Sequence, residues 1–161
     1  MIDFDKNPVH VAATQYTSSL RSFDLYVSGC LGPHCKGCHN PELFEFGNGK
    51  IVDSKYINKI IKKIIDFDKL ISNVFLYGGE PLDQNIRIIN YFLEQIKNKT
   101  NKTIWLFTKY ELNKVPQDIK NIVDYIKCGR YLKEYLKDDY YMYKIKLSTS
   151  NQIIYKKSKD F

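Results

Sequence analysis

The sequence contains no run of about 18 apolar residues and no basic start leading into an apolar stretch. It also has no Gly-, Ser- or Pro-rich linker and no internal repeat. The first two absences argue against a helical membrane span in these residues and predict a soluble, cytoplasmic protein. The other two exclude a tandem or beads-on-a-string organisation. A single domain over residues 1–161 is predicted, with a lead-in over 1–20, a core over about 21–130 and a carboxyl-terminal extension over about 131–161. A domain of this size buries roughly 70% of its unfolded surface, enough for one real core.

Acidic residues are outnumbered, 18 against 25 Lys and Arg, for a net charge of +7. Clustered lysines would footprint phosphate, but these are scattered. Lys55, Lys59, Lys62 and Lys63 recur at helical spacing opposite isoleucines, which is a solvated helix face. The charge therefore argues against a nucleic-acid partner and fits an acidic protein partner at least as well.

Cysteine is scarce, four in all, yet three of the four fall within nine residues: Cys30, Cys35 and Cys38 in SGCLGPHCKGCHNPE. Two disulfides would need pairs spread across the chain, whereas here the fourth, Cys128, stands far away. Three thiols on one short loop read as ligands of one inorganic centre. Gly32-Pro33 supplies a turn in the longer gap and Gly37 removes bulk in the shorter one. Structural zinc usually draws pairs of ligands from two separated knuckles, and with zinc His34, His39 or Cys128 would be the fourth ligand. A single loop giving three thiolates fits an iron–sulfur cube better, because such a cluster has four irons and would keep one open. Cys128 alone reads as a small buried hydrophobe.

Hydrophobic spacing supplies the framework. Phe23 to Val27 alternates and predicts a strand that ends at the cysteine loop. Asp53 or Ser54 can cap a helix with Ile57, Ile60, Ile61, Ile64 and Ile65 on one face. Asn73 to Tyr77 is a short apolar run stopping at Gly78-Gly79, and a second helix is predicted from about Asp83, which can cap it, through Ile86, Ile89, Leu93 and Ile96. Thr103 to Phe107 is the next strand, Pro116 opens a short helix through Ile119 and Ile122, Tyr125 to Cys128 is another strand, and Gln152 to Tyr155 a last one. Strand and helix alternate, which predicts an α/β fold with a mostly parallel sheet, open or curled into part of a barrel. The cysteine loop and the Gly78-Gly79 turn would then share the rim where such sheets bind ligands.

SGCLGPHCKGCHNPE followed by YGGEPL resembles the radical S-adenosylmethionine superfamily, and within it the small activases of anaerobic, class III ribonucleotide reductase. WLFTKY (Trp105 to Tyr110) is similar to the family's third-strand segment ending in Thr-Gly-Tyr, and Ser150-Asn151-Gln152 to its carboxyl-terminal motif. The superfamily usually places three and then two residues between its cysteines; here there are four and two, the extra residue lying within Leu31 to His34. Lys109 stands where the family favours glycine, and Gly37 where many members carry an aromatic.

The resemblance implies a partial, open (β/α) barrel. It also implies a 4Fe–4S cluster on Cys30, Cys35 and Cys38, with the fourth iron chelated by the amino and carboxylate groups of S-adenosyl-L-methionine. Gly78, Gly79 and Glu80 would meet the amino group, and His39, Asn40 and Thr108 would contact the adenosine portion. The implied activity is release of a 5′-deoxyadenosyl radical that installs a glycyl radical on anaerobic ribonucleotide reductase, with a low-potential donor such as flavodoxin or ferredoxin supplying the electron. Activation of another glycyl radical enzyme and radical modification of a peptide keep the same chemistry. A non-catalytic metal-binding adaptor is the alternative from another class.

Overall fold

A computed structural model describes residues 1–161. Nine strands and three α-helices succeed one another along the chain. They are β1 (His10–Thr17), β2 (Ser22–Val27), β3 (Lys50–Ile51), α1 (Ser54–Asp66), β4 (Asn73–Gly78) and α2 (Ile86–Thr100), then β5 (Thr103–Phe107), α3 (Gln117–Ile122), β6 (Tyr125–Cys128), β7 (Tyr141–Met142), β8 (Ile145–Lys146) and β9 (Ile153–Lys156). Seven strands form one mixed sheet in the order β3-β1-β2-β4-β5-β6-β9, and β7 and β8 pair separately. The centre of the sheet, β2 to β6, is parallel, and antiparallel strands close both margins.

Each crossover moves one strand further in the same direction, so a constant crossover hand places α1, α2 and α3 on one face. Ile57, Ile60, Ile61 and Ile64 of α1, Ile88, Ile89, Phe92, Leu93 and Ile96 of α2, and Ile119 of α3 pack there against Leu25, Val27, Val74, Leu76, Ile104, Leu106 and Ile126. The alternate residues of the same strands, Phe75 and Trp105, turn to the other face and pack with Ile154 of β9 and with Ile145 and Leu147 of the carboxyl-terminal segment. Both faces are covered, which is why Val74 to Tyr77 form an unbroken apolar run rather than an alternating one.

The helix predicted from Asp53 or Ser54 is present, and Asp53 is its cap, accepting from Tyr56 N at 2.7 Å. The second helix starts later than its periodicity predicts. Pro81–Asp83 form a single 3₁₀ turn, and Asn85 caps α2 by accepting from Arg87 N at 3.2 Å. Asp83 does not cap because Lys109 Nζ, Tyr110 OH and Leu31 N already occupy its carboxylate. Pro116 lies one position before α3, as its cap residue. The strand ending the chain is Ile153–Lys156, one residue on from its predicted position and antiparallel to β6.

The lead-in over 1–20 contains a full strand, β1, paired with β2. Only Val11 of its eight residues is buried, so it carries no clear period of two. No helix is long and apolar enough to cross a membrane.

Candidate iron–sulfur and cofactor cleft

Parallel register puts the ends of four strands side by side: Val27 pairs with Gly78, Leu76 with Leu106, and Phe107 with Lys127. The segments leaving these strands therefore meet on one rim. After β2 comes Cys30, after β4 the Gly79-Glu80 turn, after β5 Thr108 and Lys109, and Lys127 stands at the end of β6. A cleft of about 390 Å³ opens there, and all nine residues singled out from the sequence line it: Cys30, Cys35, Cys38, His39, Asn40, Gly78, Gly79, Glu80 and Thr108. Its volume lies within the range of small-molecule sites. A larger open groove of about 830 Å³ runs between the amino-terminal residues and the start of α2. It contains none of the cysteines, and the chemistry is concentrated in the smaller space.

The cysteine loop is fixed at its base. Gly29 N donates to Leu43 O and Cys30 N to Phe44 O, while Gly29 O accepts from Glu80 N and from Gln84 Nε2. Gly79 is glycine for a packing reason, since a Cβ there would lie 2.3 Å from Gly29 O and 2.7 Å from Leu43 O. At Gly78, with φ of +128°, it would strike Val27 O at 2.5 Å. The two glycines thus let the strand end press against the root of the cysteine loop.

Cys30, Cys35 and Cys38 are half-buried thiols, and Cys38 N donates to Cys35 O. No three His, Cys, Asp or Glu side chains draw close enough to hold a single ion. The three thiols of one loop line a single cleft, a donor set that suits a polynuclear guest better than tetrahedral closure on one metal. His34 is committed elsewhere. Its ring stacks on Phe44 at 3.7 Å, and its Nε2 shares a hydrogen bond with Cys30 O at 2.7 Å. The His39 ring is exposed and lies 5.1 Å from that of Tyr131.

Glu80 is 1% exposed and already holds three donors: Leu82 N at 3.0 Å, Thr108 Oγ1 at 2.7 Å and Lys109 N at 2.7 Å. Burial pushes its carboxyl above the usual range, and those three donors pull the other way. Thr108 Oγ1 in turn accepts from Tyr110 N. These contacts tie the end of β4 to the end of β5.

Two lysines join the site beyond the nine residues predicted for it. Lys127 projects from β6 into the cleft with Gly129 O, at 3.0 Å, as its hydrogen-bond partner. Burial lowers its pKa to about 8, with Glu80 the largest opposing influence. A lysine inside the otherwise apolar YIKC strand was the available signal. Lys109 Nζ bonds to Leu31 O at 2.6 Å, Asp83 Oδ2 at 2.9 Å and Cys30 Sγ at 3.4 Å. Burial raises the Cys30 thiol, against the pull of Lys109. Cys128 is 2% exposed in the helix-side core, and burial pushes its thiol up to about 12. It packs as a hydrophobe.

A sequence model of the 4Fe-4S single cluster domain matches residues 20–155, most of the chain. The chain belongs to that family. No curated protein matches it significantly. As a 4Fe-4S single cluster domain it is an iron–sulfur protein. The donor chemistry of the cleft fits both the cluster and an organic cofactor beside it: three grouped thiols, the Lys127 ammonium and the aromatic side chains of Phe75, Tyr77 and Phe107 all line it.

Proposed function

We propose that this 4Fe-4S single cluster domain is a radical S-adenosylmethionine activase that installs a glycyl radical on anaerobic ribonucleoside-triphosphate reductase. The observation that carries the reading is the meeting of the cysteine loop and the Gly78-Gly79-Glu80 turn in one cleft. Cys30, Cys35 and Cys38 would hold three irons, leaving the fourth for the amino and carboxylate groups of S-adenosyl-L-methionine. When bound, the cluster would pass one electron to the sulfonium and so supply a 5′-deoxyadenosyl radical.

The chain's own residues divide the remaining work. The backbone of Gly78 and Gly79 would face the cofactor's ammonium, with the charge of Glu80 just beneath, since Glu80 is buried and bonded to Thr108 and Lys109. Lys127 would counter the cofactor carboxylate, because its ammonium faces the cleft with one carbonyl as hydrogen-bond partner. His39 and Asn40 on one wall and Thr108 on the other would border the adenosine, and the aromatic floor would exclude water.

The same reading makes the sheet, parallel at its centre, a partial barrel open on one side, wide enough for a glycine-bearing loop of the partner. It places the protein in the cytoplasm beside a low-potential electron donor such as flavodoxin or ferredoxin. Activation of a different glycyl radical enzyme or of a peptide would use the same cleft.

Anaerobic reconstitution with iron and sulfide, followed by S-adenosylmethionine and a strong one-electron reductant, tests the activity. Release of 5′-deoxyadenosine that needs both the reductant and intact Cys30, Cys35 and Cys38 supports an enzyme. A loaded cluster that releases none assigns the chain to the adaptor class. An organic radical appearing on the reductase large subunit when the two are mixed identifies the target; its absence there and appearance on another glycyl radical enzyme moves the substrate.

A further inference from the structure

We propose that Lys109 is a positioning residue for the cluster, donating a charged hydrogen bond to the Cys30 sulfur and raising the cluster's one-electron reduction potential. This rests on the reading of Cys30 as an iron ligand. Lys109 Nζ lies 3.4 Å from Cys30 Sγ, and its side chain is only 7% exposed. The ammonium is held in place by Asp83, whose own side chain is 3% exposed, at 2.9 Å.

The pair grips the residue after the ligand on both of its backbone polar groups: Leu31 O accepts from Lys109 Nζ at 2.6 Å, and Leu31 N donates to Asp83 Oδ2 at 2.7 Å. The other Asp83 oxygen accepts from Tyr110 OH at 2.5 Å, so the carboxylate cannot swing away without breaking that bond. Lys109, Asp83 and Leu31 thus form a closed clamp around one cysteine. Cys35 and Cys38 have no lysine hydrogen bond of this kind.

A cation bonded to a ligating thiolate withdraws electron density from its iron and favours the reduced cluster, which carries one more negative charge. In the couple concerned one electron enters from an external reductant. No bond forms or breaks, and the proton stays on Lys109 Nζ. The asymmetry also matters chemically, because one of three cysteines would be electronically distinct. The glycine at the equivalent point of the resembling family pattern could supply no such donor.

The test is a potentiometric titration of the cluster-loaded chain, followed by the electron-spin signal of the reduced state, in wild type, Lys109→Met, Lys109→Arg and the double variant Lys109→Met/Asp83→Asn. The double variant is included because Lys109→Met alone leaves a buried carboxylate without its cation. At the wild-type midpoint, the ratio of reduced to oxidised cluster should fall about tenfold in both methionine variants, which is 59 mV for one electron. Lys109→Arg should stay within about threefold of wild type. Loaded methionine variants with an unchanged midpoint overturn the proposal while leaving the cluster assignment intact. A wild-type chain that loads no cluster overturns the ligand reading instead.

Should neither methionine variant load, reduced wild type carrying heavy-nitrogen lysine decides the matter. A lysine nitrogen coupled to the cluster spin, and persisting when Lys127 is replaced, is the expected result. No such coupling contradicts the proposal.

Discussion

The two faces of the central sheet are built from different materials. On the helix face the strands present Leu25, Val27, Val74, Leu76, Ile104, Leu106 and Ile126, and the helices answer with isoleucines, Leu93 and Phe92. On the other face stand broad rings: Phe75 lies 5.3 Å from Trp105 and 5.2 Å from Phe107, and Trp105 stacks on Tyr125 at 3.9 Å. The first face is closed by helices adjacent in sequence to the strands they cover. The second is closed by the distant carboxyl-terminal segment, through Ile145, Leu147 and Ile154. That cover packs onto Phe75, Trp105, Tyr77 and Phe107, and its Ile145 and Leu147 form part of the cleft lining. One face gives stability, and the partial cover of the other leaves room for chemistry.

The largest way to break this contrast is at the cleft. Cys35→Ala should abolish cluster loading while leaving a folded, colourless chain, read by iron content and circular dichroism together. Normal cluster absorption in that variant would remove Cys35 from the ligand set. On the helix face, Phe92→Ala should lower unfolding stability by about 3–5 kcal/mol, because its side chain is fully buried, yet leave cluster loading unchanged in the folded fraction. A loss of cluster with no loss of stability would reverse the assignment of the two faces.

Lys127 sharpens the comparison through pH. Its folded-state pKa of about 8 lies below the unfolded value, so the unfolded chain binds more protons as pH rises above 8. The lysine therefore penalises the cluster-free fold at neutral pH, and the penalty is relieved as pH rises from about 8 towards 10. Lys127→Met should be more stable than wild type at pH 7 by roughly 3 kcal/mol, with the gap closing over that window in denaturant titrations. A gap that is constant with pH contradicts the buried charge. The smallest effect is at Cys128, where serine should cost about 1–2 kcal/mol and leave iron content unchanged.

How much the sequence made legible depends on the range of each interaction. The isoleucine stripe of α1 and its Asp53 cap are local patterns, and they appear as read for Ile57, Ile60, Ile61 and Ile64, whereas Ile65 falls off the buried face and is half exposed. The three grouped cysteines and the Gly78-Gly79-Glu80 turn were legible as motifs, and parallel register brings them to one rim. Asp83 looked like a cap because its partners Leu31, Lys109 and Tyr110 lie 52, 26 and 27 positions away. β1 escaped notice because its outer positions are exposed polar and small residues without alternation. The β7–β8 hairpin follows no local period because its residues bury themselves against distant side chains supplied by β4, β5, β6 and β9. Glu80 could be read as acidic and near the site, but its three internal donors belong to the folded arrangement.

The central claim is an open iron, left by three cysteines and taken up by the amino acid end of S-adenosylmethionine. Electron–nuclear double resonance on the reduced, cluster-loaded chain with cofactor carrying heavy nitrogen in its amino group tests it most directly. The account predicts a nitrogen coupling to the cluster spin that is absent with unlabelled cofactor. A reduced cluster whose spectrum does not change when the labelled cofactor is added would contradict it.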